Sequence, residues 1–245
     1  MGNIFTFREI TEKDELEQAF RLRYNAYKDT DLKIFLSDNG YGIDISHFDL
    51  HSKILGIFLN DELIATNRLC VERKSFFNEK VLQVGQHYGY FRDSDHTYDQ
   101  SFANYDEYPF LSFPSSAANI KCYYEDLKST ATLIAECGRF AILSQYRSVR
   151  VLKFMFDCMF VFGIPMFGNQ KRVVVTETMA RHTSVYKTYG FKEIAVFNTD
   201  GLEQSGSLLS LTIDATLSNV PEKLHANFQS QLEELKKTGK IDREI

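Results

Sequence analysis

Four cations and no anion stand between Cys137 and Phe156: Arg139, Arg147, Arg150 and Lys153. The whole chain has a formal net charge of −5, so this local positive excess needs a cause. The stretch around it, Thr132–Phe162, reads as a strand, a short basic loop and then a helix. Only Lys153 and Asp157 are charged from Val151 to Phe162, which makes that helix buried on most sides. A strand that feeds a basic loop at a helix N-terminus is suited to holding phosphate. Unpaired backbone N–H groups point outward there, and the helix dipole favours an anion. A helix start with ordinary surface arginines would look the same.

Other charged residues fall in patterned positions. RLRYNAY, residues 21–27, puts Arg23 and Tyr27 four apart on one helix face. Tyr41–Leu50 reads as a turn-like segment with two carboxylates, Asp44 and Asp49, of the kind usually solvated. Arg68 lies inside a predicted strand, where a charge must face solvent, a partner or a ligand. Glu136 lies on the strand that leads to the basic loop.

The elements that would position these residues can be read in order. Thr11–Asp14 is a possible capping box opening a helix. Lys53–Leu59 and Leu63–Val71 read as strands joined at Asn60-Asp61-Glu62. Lys74–Thr130 holds thirteen aromatics in 57 residues without a clear period, so it reads as an irregular excursion folded onto the main domain. It could wall an apolar pocket or form a small core of its own. Gly163-Ile164-Pro165 should end the buried helix, and Arg172–Thr176 reads as an interior strand. A short helix over Met179–Tyr189, closed by Gly190, leads to strands at Phe191–Asn198 and Leu208–Asp214. Pro221–Lys237 carries one apolar stripe, Leu224, Phe228, Leu232 and Leu235, and reads as an amphipathic helix. This order implies an α/β or α+β domain with helices over a central mixed sheet. The main domain is expected over residues 1–217, with a C-terminal helix and tail over 218–245.

Composition narrows the classes. A hydrophobic content of 44% suits a globular domain with a substantial core. The pI near 5.7 argues against a nucleic-acid binder. Four cysteines without CxxC spacing or paired histidines suggest reduced thiols in a cytoplasmic protein and no metal site. No secretory signal or transmembrane span is read from the chain.

The order of elements and several motifs resemble the GNAT superfamily of N-acyltransferases. Val173–Val175, then Ala180-Arg181-His182, then Val185-Tyr186-Lys187-Thr188-Tyr189-Gly190-Phe191 look like that family's strand, small helix and Tyr-x-x-x-Gly-Phe closure. RLRYNAY, the acidic loop, Arg68-Leu69 and Glu136-x-Gly138-Arg139-Phe140-Ala141-Ile142 are similar to acyl-homoserine-lactone synthases. They look even more like the related long-chain N-acyl amino acid synthases. The resemblance covers Ile4–Asp214, except the aromatic excursion. Three departures stand out. Asp44, Ser46 and Asp49 replace the lactone synthases' Glu-x-Asp-x-x-Asp, and Gly138 stands where they have Ser. Gln145–Arg150 has no glycine where the superfamily has a glycine-rich pyrophosphate loop.

The resemblance implies a GNAT-like twisted mixed sheet and transfer of a medium- or long-chain acyl group to the amine of an amino acid. The donor would be an acyl-phosphopantetheine, on acyl carrier protein or coenzyme A, with no tightly bound cofactor. The missing loop glycines leave room for a carrier-protein arm. Pantetheine would lie along Phe140–Ile142, with Arg147, Arg150 and Lys153 near its phosphate. Glu136 would deprotonate the incoming ammonium or else bridge to Arg139 or Arg68. Tyr186 would protonate the departing sulfur or else pack the core. An arginine fork can grip an acceptor's carboxylate in bidentate fashion. Arg23, Arg68 and Arg139 are the candidates, with Asp44 and Asp49 holding the ammonium or ordering the loop. The alternatives are a coenzyme A-dependent acetyltransferase of a small amine or protein, and an acyl-binding module without chemistry.

Overall fold

The computed structural model describes residues 4–36, 40–71, 76–92, 129–130, 133–166, 172–198, 203–213, 221–225 and 227–244. The strands are β1 (Ile4–Glu9), β2 (Ser52–Leu59), β3 (Glu62–Cys70), β4 (Leu133–Ile142), β5 (Arg172–Met179), β6 (Lys192–Phe197), β7 (Gly206–Ile213) and β8 (Lys240–Glu244). They form one sheet in the order β6-β7-β5-β4-β3-β2-β1-β8. Only β4 and β5 pair in parallel.

The period-2 pattern of the strands sorts side chains to two cores. Ile54 and Leu55, neighbours on β2, enter opposite clusters. One face is covered by α1 (Lys13–Tyr27) and α2 (Glu79–His87). The other is covered by α3 (Val149–Met166), which buries Val151, Phe154, Met155 and Cys158. On a further side α3 gives Phe156 and Phe160 to a third cluster, as its nearly all-apolar sequence requires. Each large apolar side chain so buried contributes about 1.5–3 kcal/mol. The smaller helices are α4 (Thr183–Lys187), α5 (Glu222–His225) and α6 (Phe228–Thr238). No helix among the described residues is long and apolar enough to cross a membrane.

The β2–β3 hairpin turns at Asn60 and Asp61, with φ of 49° and 70°, the left-handed pair that a two-residue turn needs. Several expectations are corrected. The Thr11 capping box does not form; Glu12 is the N-cap and no side chain caps it. α3 continues through Pro165 to Met166. The C-terminal apolar stripe is split between α5 and α6, and still packs inward at Phe228, Leu232 and Leu235. The excursion contains α2, whose N-cap Asn78 accepts from the Val81 N–H at 3.1 Å. Of its described aromatics, Phe77, Tyr88, Tyr90 and Phe91 join the core beneath α1, and Phe76 packs against the core on the other face. They form no core of their own, and none lines the cleft described below. Tyr98 to Tyr124 lie outside the described residues.

Candidate active site

The site begins with a fault in β4. Thr66 pairs with Ala141 and Arg68 with Gly138, so Asn67 on β3 faces two residues, Arg139 and Phe140. Arg139 takes φ 53°, a left-handed conformation that a side chain tolerates only under local constraint. Asn67 Nδ2 donates to the Gly138 carbonyl at 3.1 Å, and the Tyr27 hydroxyl donates to the Phe140 carbonyl at 2.8 Å. A bulge of this kind bends its strand and ends pairing. The parallel ladder with β5 runs only from Leu133↔Arg172 to Glu136↔Val175. Beyond it β4 continues to Ile142 and β5 to Met179 without pairing. The two arms diverge, and a V-shaped opening lies between them.

A cleft of about 640 Å³ fills this opening. Glu136 and Gly138–Ile142 line one arm, and Thr176–Met179 the other. Tyr27, Leu32 and Phe35 close one side, with Leu152 and Phe156 from α3 and Tyr186 from α4. Most of the wall is apolar, which suits a hydrocarbon ligand.

The six charged candidates come together as one buried chain. Arg139 Nη1 lies 3.4 Å from Asp44 Oδ2, and Arg23 Nε lies 3.6 Å from the same oxygen. Arg23 Nη1 binds Asp49 Oδ1 at 2.8 Å and Nη2 binds the Asp44 carbonyl at 2.7 Å. Arg68 Nη1 stands 3.9 Å from Asp49, and its Nη2 binds Glu136 Oε2 at 3.0 Å. Three guanidiniums thus balance three carboxylates. The acidic loop is therefore interior; Asp44 and Asp49 are 2% and 1% exposed. Burial pushes the Asp49 carboxyl up, but Arg23, Arg68 and the Ser46 N–H outweigh it and hold it below its ordinary value.

This arrangement divides the substrate-binding candidates. Arg23, Arg68, Asp44 and Asp49 are sealed, and both Asp49 oxygens are occupied, Oδ2 by Ser46 N–H at 2.8 Å. Arg139 and Glu136 alone of the six line the cleft. Glu136 forms the bridge to Arg68 and faces the ligand space as well.

Tyr186 is held by rings. It meets Phe156 edge-on at 4.9 Å and Phe191 at 5.6 Å. Burial raises its phenol well above the ordinary value, against the opposing pull of the Thr176 and Thr178 hydroxyls. The group is protonated at neutral pH and can act as a proton donor.

The donor-side candidates separate in the same way. Phe140, Ile142 and Arg147 line the cleft. Arg150 does not, although it stands exposed on the first turn of α3. Lys153 is a correction: it lines a separate polar hollow with Asp157, Asn227 and Arg243. Nearly one turn beyond Arg150, it lies further along the helix axis, beside that hollow. The helix itself starts at Val149, after a 3₁₀ turn at Ser144–Tyr146. Ser148 caps it, accepting from the Val151 N–H at 3.2 Å.

Asn67 and Thr176 were not among the residues singled out from the sequence, and Tyr27 and Arg181 stood in its motifs without a role at the site; both line the cleft.

No family model and no curated protein matches the chain. Among solved structures it is similar to FeeM, an N-acyl amino acid synthase from uncultured soil microbes. The identity is 11% and the TM-score 0.55, over 84% of this chain and 90% of that one. It is similar in the same degree to BjaI, a CoA-dependent acyl-homoserine lactone synthase solved with SAM and isopentyl-CoA. There the identity is again 11% and the TM-score 0.55, over 92% of this chain and 90% of that one. A second BjaI structure, with MTA, gives the same values. At this identity the likeness is one of fold, and the fold is the GNAT-like one that the motifs resemble.

Proposed function

We propose that this chain is an N-acyltransferase. It moves a medium- or long-chain acyl group from a pantetheine thioester to the amine of an amino acid. The observation that carries the reading is the opening between β4 and β5, with a carboxylate, Glu136, on one arm and a protonated phenol, Tyr186, beyond the other. Acyl transfer to an amine needs a base for the ammonium and an acid for the leaving thiolate, and these two groups supply them. The names of two solved structures of similar fold, an N-acyl amino acid synthase and an acyl-homoserine lactone synthase, agree with this chemistry.

In this mechanism the thioester lies in the cleft along Phe140–Ile142. Its acyl chain rests on Tyr27, Leu32, Phe35 and Phe156. Arg139 receives the acceptor's carboxylate, since it is the one guanidinium of the buried chain that reaches the ligand space. Glu136 takes a proton from the acceptor's ammonium, directly or through water. The amine attacks the thioester carbonyl, the C–N bond forms, and the C–S bond breaks. Tyr186 donates its proton to the departing sulfur, and the excess proton left on the new amide nitrogen passes to the phenolate and restores the phenol. Arg68 keeps Glu136 oriented.

The donor is acylated acyl carrier protein or acyl-CoA, with an amino acid as second substrate. Each buried CH₂ contributes about 0.8 kcal/mol, so the apolar wall favours long chains over acetyl by orders of magnitude. The test is mass spectrometry of products from cells expressing the protein, beside E136Q. Long-chain N-acyl amino acids that appear only with the intact protein support the reading. A folded enzyme that prefers acetyl donors would sink it in favour of a coenzyme A-dependent acetyltransferase.

A further inference from the structure

Nine arginines among the described residues fall into two groups. Arg8, Arg21, Arg23, Arg68, Arg139 and Arg243 each face a carboxylate within 4 Å. Arg147, Arg150 and Arg181 face none among the described residues. Two of these three line the cleft, from its opposite arms. Arg147 follows β4 and Arg181 follows β5.

Both are oriented without being neutralised. Arg147 donates from Nη2 to the Ala26 carbonyl at 3.3 Å and from Nε to the Ile142 carbonyl at 3.4 Å. Arg181 donates from Nε to His182 Nε2 at 3.2 Å. That bond uses the side of the guanidinium facing its own chain and leaves the Nη edge for a ligand. Desolvation and the neighbouring Arg181 hold the His182 ring below its usual range, so at neutral pH it remains an acceptor. The two carboxylates that line the cleft, Glu136 and Glu177, each have partners already. The loop before α3 has no glycine to bring backbone N–H groups close to a phosphate. Ser148 also covers one of the amides at that helix end.

We propose that Arg147 and Arg181 form a two-walled clamp for the phosphate of a pantetheine arm. Arg181 supplies from the β5 side what the glycine-free loop does not supply from the β4 side. A phosphate oxygen pair suits a guanidinium edge, and such charge-assisted bonds are the strong ones. The proposal rests on the reading of the donor as an acyl-pantetheine. The arm is the same on a carrier protein and on coenzyme A.

The test is calorimetric titration of the full chain with phosphopantetheine and with unphosphorylated pantetheine. Phosphopantetheine is expected to bind about tenfold tighter or better, the effect of one charge-assisted bond of roughly 1.5 kcal/mol. R181Q and R147Q should each remove most of that preference and leave pantetheine binding unchanged. Both side chains are exposed, so the variants should fold, and thermal unfolding checks this. Equal binding of the two ligands, or a preference that survives R181Q, overturns the clamp. Michaelis constants of R181Q with acyl-carrier protein and with acyl-CoA, measured side by side, tell which donor uses it. Phosphate-dependent binding without turnover of any acyl donor would leave the clamp standing and remove the acyltransferase reading. Turnover with phosphate-indifferent binding would do the reverse.

Discussion

The carboxylate of Glu136 occupies the space that a side chain on Gly138 would need. A Cβ at position 138 would lie 2.6 Å from Glu136 Oε1 and 3.9 Å from Arg68 Nη2. The two residues are two apart on β4 and so share a face. The glycine is there for room, since its backbone is not among the positive-φ positions. G138A should push Glu136 off Arg68. Loss of a partner in a buried pair costs about 3–5 kcal/mol, and partial displacement should cost about 1–3 kcal/mol by urea unfolding. Product formation should fall as well. An alanine variant with unchanged stability and unchanged turnover would show that Glu136 has another place to sit.

The buried charge chain makes stability depend on acid. Asp49 titrates below its ordinary 3.8 in the folded state because Arg23, Arg68 and Ser46 outweigh its burial. A depressed carboxyl contributes stability that is fully present above the unfolded value and is lost as pH falls through the folded one. The protein should therefore lose stability on acidification below about pH 4. D49N should be weaker at neutral pH, by about 3–5 kcal/mol, and show a shallower acid limb. Unfolding free energies measured from pH 7 down to pH 2.5 decide this; parallel curves for the two proteins would contradict it.

In the proposed mechanism Tyr186 is the proton donor, which makes the alkaline side of the rate a test of its role. Burial raises its phenol above the ordinary 10. The proton it donates is therefore present throughout the neutral and mildly alkaline range. The rate should show no decline from this group below pH 10, and Y186F should lower kcat by about 10²-fold or more with little change in KM. A limb near pH 8 that disappears in Y186F would mean that a nearby positive charge lowers this phenol and that burial does not raise it.

The basic stretch should divide by position. Arg147→Glu should raise the donor's Michaelis constant, and the effect should shrink with salt. Lys153→Glu should leave that constant unchanged, since Lys153 lines the hollow beside Asp157 and Arg243. Equal effects from the two reversals would point to a docking surface wider than the cleft mouth.

The sequence by itself determined the order of the principal elements and the buried nature of α3. Those are local properties: hydrophobic period, turn residues at Asn60-Asp61, and an apolar run too complete for a surface helix. It also placed Arg23, Asp44, Asp49, Arg68, Glu136 and Arg139 among the important residues, through their resemblance to a motif. It missed β1 and β8, because a strand such as Lys240–Glu244 is nearly all polar and exists only through pairing with β1. Ile241 alone anchors it, fully buried.

Only the tertiary structure decided what those charges do. Charged residues 19 to 95 positions apart in the chain meet across β3, β4 and α1, and their spacing carries no record of the meeting. Burial then sorted them: four were sealed into a supporting chain of ion pairs, and two were left facing the cleft. The opening itself comes from one left-handed residue, Arg139, opposite Asn67. Its bulge depends on the register of β3 against β4, which is a property of two strands and not of either one.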